Sequence, residues 1–356
     1  MKRKSFIVVH SSIIFGILFT ILGSVMPISN SADAYSNAPD VSSPTPSSTS
    51  TQVPAAIVKD IKTGYFHRAT ASLEPMMPTH TGAANYQYRY AQALLGAGQT
   101  SKALSTIKAA IALEPKTAAY YRLMGKIYGV LAQNANIFHA MGLAKDVLAA
   151  FRTAVQLNPR DPKSLVDLAM YYIGAPNIVG GSIKKAHKIE ATLFKISPVD
   201  ALQVQAQEAK QANNYAKAET LLQQASRLDK TSGSLMTLAF LYIMKHDYAD
   251  AFQIFRSITV KTPDNVRAWY WVGRTSDLSH SHYMEGIAAL KHYIVLPERP
   301  DTAPSLAFAY LRLGDLFRLN GQKDLAHAEY TKAQKTSGAG NKEFKSELKK
   351  SLRKSQ

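Results

Sequence analysis

The chain has no cysteine among its 356 residues, which excludes disulfides, thiolate metal sites, cysteine nucleophiles and a lipid anchor on cysteine. Carboxylates are scarce: 25 Asp and Glu stand against 42 Lys and Arg, a formal net charge of +17. A balance this basic favours anionic partners such as acidic protein surfaces, anionic lipid, wall polymer or nucleic acid, or it serves solubility alone. Also missing is an unbroken apolar run of the roughly 20 residues that a spanning helix needs. The stretch behind Lys2, Arg3 and Lys4 is interrupted by His10, Ser11 and Ser12 and is cleanest only over 13–26. The glycine-rich segment 174–181 is no phosphate cradle, because Pro176 removes an amide donor and the Gly-x-Gly and Gly-Lys-Ser patterns do not occur in it. No acid–base or nucleophile constellation stands out. His280, His282 and His292, with Asp277 and Glu285 nearby, have metal-ligand chemistry, but histidines in a polar turn read as structural, so neither a metal nor a cofactor is expected.

What is present begins with an export signature. Three basic residues, an apolar stretch and the small-x-small site Ala32-Asp33-Ala34 predict a signal peptide over 1–34, cut before Tyr35; uncut, it would be a signal anchor. Thirteen of the 20 residues over 35–54 are Ser, Thr or Pro, without apolar periodicity, and the segment reads as a disordered linker. The folded remainder is therefore expected outside the cytoplasm, in the periplasm, with membrane contact only through an uncut signal. Nucleic acid fits the charge but not the export signal.

Between 200 and 263 the chain says nearly the same thing twice. Asn214-Tyr215, Ala218, Leu222 and Ala225 return 33 positions later as Asp247-Tyr248, Ala251, Phe255 and Ile258, and Leu202 returns as Leu235. A period in the low thirties, with small residues where helices must touch and larger apolar ones between, predicts stacked helix-turn-helix units. An incomplete pair over 55–83, with Ala69, Leu73 and Met76 at helical spacing, reads as a degenerate first unit capping the stack. At the other end, over 339–356, Phe344, Leu348 and Leu352 line one face of an amphipathic helix whose other face is Lys345, Lys349, Lys350, Arg353 and Lys354. That helix reads either as a solvating cap or as a dock for an anionic surface.

The unit over 84–115 carries Tyr90, Ala91, Leu94, Gly98, Ala103, Ile107, Ala110 and Pro115; the last carries Tyr310, Leu313, Gly314, Phe317, Gly321, Ala326, Tyr330 and Ala333. On these residues the chain resembles the tetratricopeptide repeat family, with Gly338 standing where the family has proline. The stretch from Ala118 to Pro198 resembles a group of exported bacterial members that have an insertion followed by a Tyr-Tyr-x-x-Ala-Pro-x-Ile-Val-Gly-Gly turn. Here the insertion is 134–143 and the turn ends at Gly180-Gly181. The resemblance implies an all-α, right-handed solenoid of about seven helix pairs over 84–338 plus caps, with the first helix of each pair lining a concave face.

Carried over position by position, the family's groove residues are Asn85, Tyr88, Gln92, Arg122, Lys126, Asp167, Tyr171, Gln203, Gln207, Lys210, Phe240, Arg267, Tyr270, Arg274 and Arg318, with Asp315 beside the last. The groove would have basic ends and an apolar centre at Met236, Phe240 and Ile243, suited to a peptide or protein segment with acidic and aliphatic residues. The same Arg and Lys side chains could equally do no more than solvate a curved surface. The expected function is a non-catalytic adaptor for protein partners in the cell envelope. The competing readings are a small-molecule carrier or enzyme whose pocket is closed by 134–143 over Phe138 and Met141, and a binder of anionic wall polymer or lipid.

Overall fold

The computed structural model describes residues 52–336 and 338–355. The predicted signal peptide and all but the last residues of the Ser/Thr/Pro linker lie outside them. Among the described residues there are 17 α-helices and no strand, and no helix is long and apolar enough to cross a membrane.

The chain forms two compact units, one ending at Leu228 and the other beginning at Asp229. The first holds α1 (Ala55–Thr63), α2 (Phe66–Leu73), α3 (Ala84–Gly96), α4 (Thr100–Leu113), α5 (Ala118–Asn134), α6 (Ile137–Leu157), α7 (Pro162–Gly174), α8 (Ile183–Ile196), α9 (Pro198–Gln211) and α10 (Tyr215–Leu228). The second holds α11 (Gly233–Met244), α12 (Tyr248–Lys261), α13 (Val266–Ser279), α14 (Tyr283–Val295), α15 (Leu306–Leu319), α16 (Lys323–Lys335) and α17 (Lys342–Ser355).

The helices begin and end where local chemistry requires. Asp161 accepts a hydrogen bond from the Ser164 amide at 2.9 Å, and Pro162 fills the first helical position of α7, where no amide is needed. Asn136, Ser182 and Asn265 cap α6, α8 and α13 in the same way. Within a pair the chain reverses through a left-handed residue: Gly98, Asn213, His246 and Gly321 all have positive φ.

Packing follows the repeat. On α3 and α4, Ala91, Leu94, Ala103, Ile107 and Ala110 are wholly buried. The alanines let the backbones approach while Leu94 and Ile107 fill the space between, each contributing about 2 kcal/mol on burial. A Cβ on Gly125 would lie 2.5 Å from the Phe151 ring, and one on Gly314 would lie 2.5 Å from Tyr330. Both are first-helix glycines of their pairs, pressed by the aromatic of the second helix. In the first unit the first helices of successive pairs also touch, α3 with α5, α5 with α7 and α7 with α9, which sets them along one shared wall. In the second unit α13 touches α15 in the same manner.

The 134–143 insertion is not a lid. It lengthens both helices of its pair, to 17 residues in α5 and 21 in α6, and a small apolar contact of Ala132 with Ala140 closes the extended end. Phe138 is 83% exposed, so it roofs no pocket. The reversal is confined to Ala135 and Asn136, and the segment from Ile137 on forms the first turns of α6.

Candidate functional site

The candidate surface is built from the first helices, and each unit presents its own. In the first unit, Tyr88 on α3 lies against Tyr120 on α5, ring centroids 5.0 Å apart. Gln92 donates to the Tyr88 hydroxyl at 3.0 Å and accepts from Arg89 at 3.1 Å, and the Arg89 guanidinium sits 5.3 Å over the Tyr88 ring. Asn85 is half-buried at the start of the same helix. One turn farther along the wall, Arg122 Nε donates to Asp167 Oδ2 at 2.6 Å, and the Lys126 ammonium is 3.7 Å from the same oxygen. These two cations of the predicted groove are thus held by a carboxylate from the neighbouring pair, which leaves the trio with one net positive charge.

Tyr171 is removed from the surface altogether. It is 2% exposed, and its hydroxyl lies 2.8 Å from the Ala144 carbonyl and 2.7 Å from the Val179 carbonyl, its one proton serving both. Burial pushes its phenol pKa upward. Its role is to tie the glycine-rich turn to α6. The same turn is held where Gly180 adopts φ 98° and where a Cβ on Gly181 would overlap the Ala175 carbonyl. Farther on, Gln203 is half-buried, and Gln207 is buried at 7% exposure. Lys210, also half-buried, has no carboxylate partner, and burial lowers its ammonium pKa.

The second unit concentrates aromatics and guanidinium groups. Phe240 on α11 meets Trp271 on α13 edge to face at 5.0 Å, and both rings rest on Phe255. The Arg267 guanidinium stands 6.0 Å from the Phe240 ring. It has no carboxylate partner, its Nε is enclosed with nothing to donate to, and burial lowers its pKa. Tyr270, the neighbour of Trp271, is buried against Tyr293 and faces no groove. Arg318 likewise has an enclosed, unpartnered Nε.

Arg274, by contrast, pairs with Asp277. Behind it, Arg312 bridges Asp315 at 3.3 Å, Asp277 at 4.0 Å and Glu347 of α17, and the Tyr330 hydroxyl donates to Asp315 at 3.0 Å. Burial first, and the adjacent Asp315 second, raise the Asp277 carboxyl above its ordinary range. This network fastens α13, α15, α16 and α17 together.

The histidines at 280, 282 and 292 do not converge. His282 stacks on Phe252 at 4.3 Å, His292 rests on Trp269 at 4.3 Å, and Asp277 belongs to the arginine network. Among the described residues, the potential metal ligands that do come together are His187, Glu190 and Glu208, with one ligand atom of each within 4.8 Å of the others. The signal for them is the His-x-x-Glu spacing on α8, which places both side chains on one helix face; Glu208, 18 residues past Glu190, is added only by the packing of α9.

No family model and no curated protein matches the chain. Solved structures do. A monomeric mutant of IFIT1 with m7Gppp-AAAA aligns with a TM-score of 0.51 at 15% identity, covering 85% of this chain and 73% of that one. The human IFIT1 dimer with PPP-AAAA gives 0.50 at 16%, covering 84% and 73%. A tetratricopeptide repeat protein from Parabacteroides merdae gives 0.42 at 18%, covering 76% and 98%. At such identities the likeness is one of fold. With its successive helix pairs, two of them at a 33-residue offset, first-helix glycines pressed by second-helix aromatics and no strand among the described residues, this chain has the all-α solenoid fold of the tetratricopeptide repeat proteins.

Proposed function

We propose that the protein is a non-catalytic scaffold whose first-helix faces hold an extended partner segment bearing acidic and aliphatic residues. Arg267 carries this reading. A half-buried guanidinium with an enclosed, unpartnered Nε and no carboxylate beside it costs stability, and a partner's carboxylate would satisfy it while apolar side chains cover Phe240 and Trp271. Lys210, half-buried and without a carboxylate partner, is a second cation of this kind in the first unit. Phosphate recognition of the kind that an RNA ligand needs draws on many unpaired cations. Here Arg122, Lys126 and Arg274 already face carboxylates, which favours a protein segment over the RNA that IFIT1 holds.

The basic, signal-like start of the sequence supports a place in the cell envelope, which fractionation of the expressing cell would test: recovery of the protein in the cytosol would sink that assignment. For binding, the test is an array of acidic–aliphatic peptides probed with wild type and with Arg267→Met. Methionine keeps the volume and removes the charge, so peptide capture should fall at least about tenfold with no loss of thermal stability. Undiminished capture by the variant would refute the reading.

A further inference from the structure

Glu190 is 4% exposed, in the middle of α8. Its Oε2 accepts from the Gln205 amide at 3.4 Å, and its Oε1 is enclosed without any hydrogen-bond partner. Beside it, the exposed His187 places Nε2 3.0 Å and 3.1 Å from the two oxygens of Glu208 on α9. A simple ion pair accounts for His187 and Glu208. It does not account for a second, buried carboxylate that has one oxygen without a hydrogen-bond partner and offers a ligand atom within 4.8 Å of those of His187 and Glu208. Such a group is costly unless something positive or protonated meets it. The other cation near Glu190 is Lys217 on α10, an exposed side chain that can lower the local charge but provides no coordinating arrangement.

We infer that His187, Glu190 and Glu208 bind one Zn²⁺ ion. One imidazole nitrogen and two carboxylate oxygens are the donors of a first-row divalent ion rather than of Ca²⁺ or Mg²⁺, which take six or more oxygens or hold most of their water. Around Zn²⁺, with bonds near 2.1 Å, tetrahedral ligand atoms sit about 3.4 Å apart. The His187–Glu208 separations are already close to that. Closing the remaining gap, 4.8 Å at most, needs only a rotation of the solvent-facing His187 ring and of the half-buried Glu208. Three protein ligands leave a fourth position for water or for a donor from outside. Because His187 and Glu190 belong to the second helix of one pair and Glu208 to the first helix of the next, the ion would clamp two repeats together.

The test uses the tag-free full chain, stripped with chelator and titrated with Zn²⁺ by calorimetry, with Co²⁺ as an optical probe of the coordination shell. One equivalent should bind, the melting temperature should rise with it, and Co²⁺ should develop visible bands. His187→Ala, at an exposed position that leaves the core intact, and Glu190→Gln should each weaken Zn²⁺ binding by more than about tenfold, while His292→Ala should not. Absence of saturable one-to-one binding, or equal affinity in wild type and His187→Ala, would overturn the assignment.

Discussion

Gly314 shows how much of the packing depends on single atoms. The Tyr330 ring lies against it, held by a hydrogen bond from its hydroxyl to Asp315, so the methyl of Gly314→Ala must displace a ring that is 1% exposed. The expected cost is about 1–3 kcal/mol, read as a lower denaturation midpoint with an unchanged slope. Lys210 makes a prediction about pH. Burial lowers its folded-state pKa below the unfolded value of about 10.4, so between those two values the unfolded chain binds more protons and stability rises with pH. Urea titrations across alkaline pH should show that rise in wild type and lose it in Lys210→Met. These residues were partly legible in advance. Gly125, Gly314, Phe151 and Tyr330 follow from the repeat spacing, because each contact lies within one helix pair. The ion pair of Arg122 with Asp167 spans 45 positions, and the burial of Tyr171 depends on where α6 runs, so neither could be read from a period.

Among the elements, α17 depends most on a few contacts. Phe344 and Leu348 are buried against the last pair, and Glu347 reaches the buried Arg312. The basic residues on its other face, Lys345, Lys349, Lys350, Arg353 and Lys354, are exposed. Glu347→Gln leaves the Arg312 guanidinium short of a carboxylate and should cost about 2 kcal/mol, with faster amide exchange confined to 342–355. The amphipathic pattern foretold this helix and its buried face; the carboxylate that latches it could not be inferred, since Arg312 sits 35 positions upstream. The insertion at 134–143 was legible as extra length and not as shape. Counting shows ten late residues, but only the structure shows them absorbed by two longer helices with Phe138 pointing into solvent. That removes the observation a roofed pocket would have needed.

At the scale of the whole chain, the fold class was legible because a solenoid repeats one local rule, and two middle units write that rule at a strict 33-residue offset while the others vary its length. The boundary between Leu228 and Asp229 was not, because the same offset passes through it unbroken. The charge of +17 also misleads at this scale. Of the cations predicted for the groove, Arg122, Lys126 and Arg274 are matched locally by Asp167 and Asp277, which leaves Lys210, Arg267 and Arg318 as the candidates for meeting a partner. The most direct measurement of that claim is photo-crosslinking in the living cell, with a benzophenone side chain placed at Phe240 on a first helix or at the exposed Val260 on a second. Partner adducts should form from position 240, disappear when Arg267→Met is added, and be absent from position 260. Adducts from position 260 alone, or adducts at 240 indifferent to Arg267, would contradict the account.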